Sequence, residues 1–181
     1  MPLDLAVICL TYTHDCYSPK PPSPKAAFFV LKIGGLCYIF KKHQEKRMYQ
    51  GSCLCKKVAI QIDGPIDSII HCHCSLCRKS SGTAFATNGF INRADFKVTQ
   101  GQENLTAFEF KPGRIRHFCS ACGSPVYSEN RNDMARIRLR LGILDSEITE
   151  RPISHNFVSS KANWELLKSD LPHYDGFEPT R

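Results

Sequence analysis

The sequence has no apolar run of the length a bilayer demands. Its longest stretch of that character, AAFFVLKIGGLCYIF (26–40), is fifteen residues broken by Lys32 and a glycine pair, short of the ~20 needed to span a membrane. Lys25, Lys41 and Lys42 flank it as in a signal anchor, but no small-residue cleavage site is evident. The expectation is a strand on the domain or a loose tail, with no membrane role. No internal repeat is present, which excludes repeat architectures. Strong helical periodicity is scarce, which excludes a helical bundle. No motif joins stacking aromatics to a basic stripe, so there is no strong nucleic-acid signal. Tryptophan occurs once, at Trp164, and as a large lone aromatic it is expected to anchor the core.

What the chain has in excess is cysteine: ten in 181 residues. Its 42% hydrophobic content suits a soluble domain able to bury a core, so the cysteines are not compensating for a tiny fold. Cys9, Cys16 and Cys37 are scattered. The other seven form three clusters, GSCLC (Cys53, Cys55), CHCSLC (Cys72, Cys74, Cys77) and CSACG (Cys119, Cys122). Neighbours one or two residues apart make poor disulfides and good metal-ligand sets. Metal binding in a reducing, cytoplasmic compartment is the expectation. Seven thiolates and two zinc ions would bring the formal charge of +7 down to +4, a mild excess that does not by itself call for nucleic acid.

The chain divides near residue 47. Residues 1–47 read as an extension of unknown role, with SPKPPSPK (18–25) expected to be extended or disordered. From Met48 to Arg181 the pattern is mainly β. KVAIQI (57–62) alternates Val58, Ile60 and Ile62 on one face before a DGP turn. IDSIIHC (66–72) carries a strand into the second cluster, GFINRADFKVTQG (89–101) reads as short strands with turns, and LTAFEFKPG (105–113) alternates up to a Pro-Gly turn. RIRHFC (114–119) enters the last cluster. MARIRLRLGIL (134–144) places Ile137, Leu139 and Leu141 on one face and Arg136, Arg138 and Arg140 on the other. The arginines read as an exposed strand face, with an anion-binding strip as the alternative. Only SLCRKSSG (75–82), with Gly82 at a turn, and ANWELLKSDL (162–171) suggest short helices.

Structural zinc takes four ligands in a tetrahedron. Two short pairs roughly 65 residues apart, Cys53 with Cys55 and Cys119 with Cys122, supply that well and would contribute folding energy. Gly123 would help the backbone turn its amides toward sulfur. Cys72, Cys74 and Cys77 then hold only three corners of a second ion. Either His71, His73 or His117 closes the fourth, or the corner is open, as in catalytic zinc sites. His73, cramped between two ligands, is expected to point away. A three-thiolate zinc has low Lewis acidity and suits an incoming thiol, held as thiolate for attack on an electrophile.

These motifs carry a resemblance. GSCLC (51–55), CHCSLCRKSSG (72–82), RHFCSACGSPVY (116–127), LGILD (141–145), ISHNFVSSKANW (153–164) and SDLPHYDG (169–176) occur in the order found in the glutathione-dependent formaldehyde-activating enzymes, whose domain is shared with centromere protein V. The resemblance covers roughly 130 residues. It implies a β-tent of antiparallel sheets clamped by zinc, with the structural ion on Cys53, Cys55, Cys119 and Cys122 and the thiol chemistry at an ion on Cys72, Cys74 and Cys77. It further implies a carbon–sulfur lyase or synthase acting on a small thiol–aldehyde adduct such as S-hydroxymethylglutathione, with glutathione or another small thiol as co-substrate. His155, Lys161 and Trp164 belong to the matched tail. The competing reading is a non-catalytic zinc module that binds protein, chromatin or cytoskeleton, which would also admit a nuclear location. No histidine is assigned as acid or base, and the oligomeric state is not encoded in any motif.

Overall fold

The computed structural model describes residues 28–33, 36–41 and 47–179. The chain divides into two compact units, Met1–Glu45 and Lys46–Arg181. In the first, β1 (Phe28–Ile33) and β2 (Leu36–Lys41) pair antiparallel from Phe28 opposite Lys41 to Ile33 opposite Leu36. The SPKPPSPK segment, Cys9 and Cys16 lie outside the described residues.

The second unit is mainly β, as expected. A small antiparallel sheet has the order β3–β4–β7, from β3 (Tyr49–Ser52), β4 (Ala59–Ile62) and β7 (Phe96–Gln100). A larger, mixed sheet has the order β13–β12–β5–β6–β11–β10–β9–β8. Its strands are β5 (Ser68–Cys72), β6 (Ala86–Asn92), β8 (Leu105–Lys111), β9 (Arg114–Cys119), β10 (Pro125–Asn130), β11 (Asp133–Arg140), β12 (Pro152–Asn156) and β13 (His173–Tyr174). All pairings are antiparallel except those of β12 with β5 and with β13. Among the described residues no helix is long and apolar enough to cross a membrane.

The alternation read from the sequence builds the core. Val58, just before β4, and Ile60 and Ile62 of the small sheet meet Ile69, Ile91, Val126, Ile137 and Leu139 of the large one in a single buried cluster, the arrangement by which two half-apolar sheets hide their apolar faces. Burying each such side chain is worth about 1.5–3 kcal/mol. Gly101 makes the turn after β7 in the left-handed conformation, φ 74°. A Cβ there would lie 1.9 Å from the Lys57 carbonyl oxygen.

Three expectations are corrected. Arg136, Arg138 and Arg140 do not form an exposed face: Arg136 is exposed, Arg138 half-buried and Arg140 buried. The cause is position, since β11 lies between β6 and β10 in the sheet and burial deepens along it from Arg136 to Arg140. Residues 162–171 form no helix; a turn at 163–164 is followed by irregular chain. Ala162 is buried but Trp164 and Leu166 are exposed, so the segment lacks the continuous docked apolar face that supports most short helices. Trp164 is 67% exposed and anchors nothing in the core, while its neighbour Ala162 is buried.

Gly101→Ala is expected to lower stability by at least ~2 kcal/mol, about 1–2 kcal/mol of it from the left-handed backbone and the rest from displacing the Lys57 carbonyl. Gly142→Ala, where a Cβ meets nothing within 4 Å, is expected to stay within about 0.5 kcal/mol of the parent. Urea unfolding of the two variants side by side checks this.

Candidate metal and thiol site

The four-cysteine set sits where the two sheets are tied together. Cys53 follows β3 in a turn closed by the Lys56 amide donating to the Cys53 carbonyl at 2.8 Å, and the Val58 amide donates to Cys53 Sγ at 3.2 Å. Cys119 ends β9, and Gly123, with φ 73°, turns back so that its amide donates to the Cys119 carbonyl at 2.8 Å. The Leu54 amide donates to Ser124 Oγ at 3.1 Å, joining the two turns. The four sulfurs lie within 4.8 Å of one another, with Cys53–Cys55 at 3.5 Å and Cys55–Cys119 at 3.8 Å. A tetrahedron with Zn–S bonds of ~2.3 Å has edges of about 3.8 Å, so the donor set fits zinc. Hydrogen bonds with Ser124 push the Cys122 thiol down to about 5, toward the thiolate that ligates metal.

The second set is built on a loop and a short helix. Cys72 ends β5, and α1 (Ser75–Ser81) starts at Cys74, whose sulfur accepts from the Cys77 amide at 3.4 Å. Gly82 closes α1 in the left-handed conformation expected of a helix C-terminus. The three sulfurs gather within 4.8 Å, Cys72 and Cys74 at 3.6 Å, again matching one face of a zinc tetrahedron. Hydrogen bonds with Cys72 and Cys74 hold the Cys77 thiol well below its usual range, helped by the charge of Arg140. The same contacts push Cys72 well above it.

None of the three histidines able in principle to close the fourth corner joins this set. His71 Nδ1 pairs with Thr87 Oγ1 at 3.1 Å, and His117 stacks on Tyr127. His73 does point away: it is fully buried, with Nε2 2.8 Å from His155 Nδ1, and His155 Nε2 lies 2.7 Å from Ser169 Oγ. The matched tail therefore holds the cysteine loop from behind through His155, while the His73 amide donates to the Asn156 carbonyl at 2.9 Å.

On the open side the three cysteines line a cleft of about 320 Å³, within the range of small-molecule sites. Its wall carries Arg114 and Arg116 of β9, Arg138 and Arg140 of β11, and Lys111. Arg140 Nη1 donates to Asn88 Oδ1. Arg116 Nη2 donates to the Leu76 carbonyl at 2.9 Å and the guanidinium lies 4.2 Å over the Phe110 ring. Phe110, Phe157 and Phe177 supply apolar surface. These cations beside the cysteines are residues that the sequence alone does not bring to the site. For Arg138 and Arg140 the signal there is the alternation of Arg136, Arg138 and Arg140, which an exposed strand face explains equally well.

Fold and site together define a mainly β protein with a closed four-thiol cluster and a three-thiol cluster facing a cationic cleft. The model of the glutathione-dependent formaldehyde-activating enzyme family matches residues 48–160, more than half of the chain, and the protein belongs to that family. A protein of Halomonas elongata, provisionally named a glutathione-dependent formaldehyde-activating enzyme, is 26% identical over 130 residues, 67% of this chain and 82% of its own. One of Colletotrichum graminicola with the same provisional name is 32% identical over 75 residues, 41% of this chain and 39% of its own. A solved structure of a Rhodobacter sphaeroides protein, 25% identical, matches 57% of this chain and 97% of its own at a TM-score of 0.47.

Burial holds His71, His73 and His155 below the ordinary histidine value of 6.5, His73 down to about 4, with further depression from neighbouring histidines. Between about pH 6.5 and 4 the unfolded chain therefore binds more of these protons than the folded one, and stability falls as pH falls through that window. The urea midpoint is expected to drop from pH 7.5 to pH 5, with a smaller drop in His155→Gln, which loses one of these histidines and its repulsion of His73.

Proposed function

We propose that residues 48–181 form a two-zinc domain in which Cys53, Cys55, Cys119 and Cys122 hold a structural ion. Cys72, Cys74 and Cys77 hold a second ion that activates a small anionic thiol for reversible addition to formaldehyde. Residues 1–47 are an extension outside this chemistry. The observation that carries the reading is the three-sulfur cluster opening onto a cleft walled by guanidinium groups. Family membership supports glutathione as the thiol and S-hydroxymethylglutathione as the adduct, a carbon–sulfur lyase reaction in reverse. The clustered thiols fit a reducing compartment such as the cytoplasm.

Zinc on the three thiolates would supply a fourth, exchangeable position at which an incoming thiol is kept deprotonated at neutral pH. The chain's residues do the rest. Arg140, beside Cys77, raises the positive potential where the substrate sulfur must sit, and Asn88 fixes its guanidinium. Arg116 and Arg138 favour an anion over a neutral thiol. Phe110, Phe157 and Phe177 reduce the water that competes for the aldehyde, which exists largely hydrated in bulk. The sulfur lone pair forms the new S–C bond, the C=O π pair moves onto oxygen, and the proton given up by the thiol ends on that oxygen. No oxidant or reductant takes part. Holding sulfur and carbonyl carbon together is the main contribution expected of such a cleft.

Two experiments test this. Metal analysis of the purified protein is expected to find about two zinc ions per chain. Cys77→Ser should lose one while retaining the fold, whereas Cys119→Ser should lower the unfolding temperature sharply as the sheet clamp fails. In anaerobic cobalt-substituted protein, glutathione is expected to increase the sulfur-to-cobalt charge-transfer band to saturation. An unchanged spectrum with glutathione and with other small thiols, at full loading, would defeat the reading.

A further inference from the structure

The large sheet ends at β8, and among the described residues no strand lies on its outer side. Of the strands at the edges of the two sheets, β8 is the longest, with 7 residues against 2 in β13, 4 in β3 and 5 in β7. The free side of β3 is bridged to the chain at Leu144 through Gly51. In β8 the run Thr106, Ala107, Phe108 and Glu109 is exposed, with Phe108 at 58%. A long exposed edge is a template for a further strand unless charge, proline or a bulge blunts it. Here the bulge falls between Glu109 and Lys111, and Pro112 follows. Leu105–Glu109 is left uninterrupted.

The ladder shows which backbone groups of this stretch are free. The Ser120 amide donates to the Asn104 carbonyl at 2.8 Å, while the Cys119 amide turns away to the Ser124 carbonyl at 2.9 Å. Hydrogen-bonded and non-hydrogen-bonded pairs alternate along an antiparallel ladder. Thr106 and Phe108, opposite Phe118 and Arg116, therefore direct their amides and carbonyls at β9. Leu105, Ala107 and Glu109 direct theirs outward, where a partner strand would meet them.

Charge selects the partner and the register. Glu103 and Lys111 are both exposed, and each lies four positions from Ala107, on opposite sides. A two-fold axis at Ala107 sets Glu103 of either chain against Lys111 of the other. It pairs Leu105 with Glu109, Thr106 with Phe108, and Ala107 with its own counterpart, closing about six backbone hydrogen bonds. The Glu109 carboxylate is already engaged by the Gly113 amide at 2.7 Å and by Arg131 at 3.4 Å. Centring on Thr106 would instead oppose Glu103 to Glu109, and centring on Phe108 would bring the two Glu109 side chains to diagonal positions. Like charges so placed are unfavourable.

We propose that β8 is a self-association edge, on which a second copy of this chain adds its own β8 antiparallel about Ala107 and joins the two large sheets into one. The association is independent of the metal and thiol chemistry. Its specificity lies in two reciprocal Glu103–Lys111 pairs and in the outward amides of alternate residues.

Sedimentation velocity of the metal-loaded full chain, over a hundredfold range of concentration, is expected to show a reversible dimer. Ala107→Pro deletes an amide that serves only the second copy, a replacement that an edge strand tolerates, and should weaken dimerisation at least about tenfold. Glu103→Lys or Lys111→Glu alone should weaken it about three- to tenfold, and the doubly reversed chain should return to within about twofold of the parent. Both charge positions are exposed, so this cycle reads the interface even if the proline variant unfolds. Hydrogen exchange should slow at the amides of Leu105, Ala107 and Glu109 as concentration rises, with Thr106 and Phe108 protected throughout. A monomer at every concentration overturns the proposal, as does a dimer in which charge reversal is not rescued by the double exchange. Protection of the three outward amides in a monomer also overturns it, since another segment of the same chain would then occupy the edge.

Discussion

The architecture depends on β11 lying inside the large sheet, where the second half of the strand, Ile137 to Arg140, is largely shielded from water on both faces. One face, Ile137 and Leu139, closes the core against the small sheet. The other places Arg138 and Arg140 under α1 and the C-terminal tail. Charged groups are rarely kept from solvent unless they are paired, hydrogen-bonded or awaiting a partner. Arg140 has Asn88 and the neighbourhood of Cys77; Arg138 has the Phe90 ring. A single strand thus couples the apolar packing that holds the domain together to the positive potential of the cleft. Changes that disturb the core are therefore expected to reach the site through the register of this strand.

Sulfur provides the second tie. The four-thiol cluster joins the end of β3 to the end of β9, and each strand belongs to a different sheet. The three-thiol cluster has no such bridging duty. It is held by its own helix start and, from behind, by His155 and Asn156 of β12. The two clusters consequently differ in mechanical role: one closes the scaffold, and the other is presented at a cleft by elements already fixed. That division suits the proposed function, in which exchange at an ion on the three thiols would leave the scaffold intact.

Much of this is legible in the chain. Period-two patterns locate β4 and β11, the Cys-x-Cys and Cys-x-x-Cys spacings locate both clusters, and Gly82 and Gly123 mark turns that the backbone does make with positive φ. These features are local: residue alternation, ligand spacing and glycine conformation are settled within a few positions of sequence. The failures are equally specific. Size alone assigns Trp164 to the core, yet it lies outside, and the segment around it has a helical pattern that the fold does not support.

What the sequence by itself determined was the class of fold, the seven sulfurs and their grouping, because short-range spacing constrains them. What only the tertiary structure decided was which charged residues share the space in front of the sulfurs. Arg114, Arg116, Arg138 and Arg140 come from two strands that are separated in the sheet by β10. Strand order and register, not nearness in sequence, bring them to one wall. An alternating arginine looks the same on an exposed edge strand and on a buried central one. The difference lies in what covers the second face, and that is fixed by contacts between residues far apart in the chain.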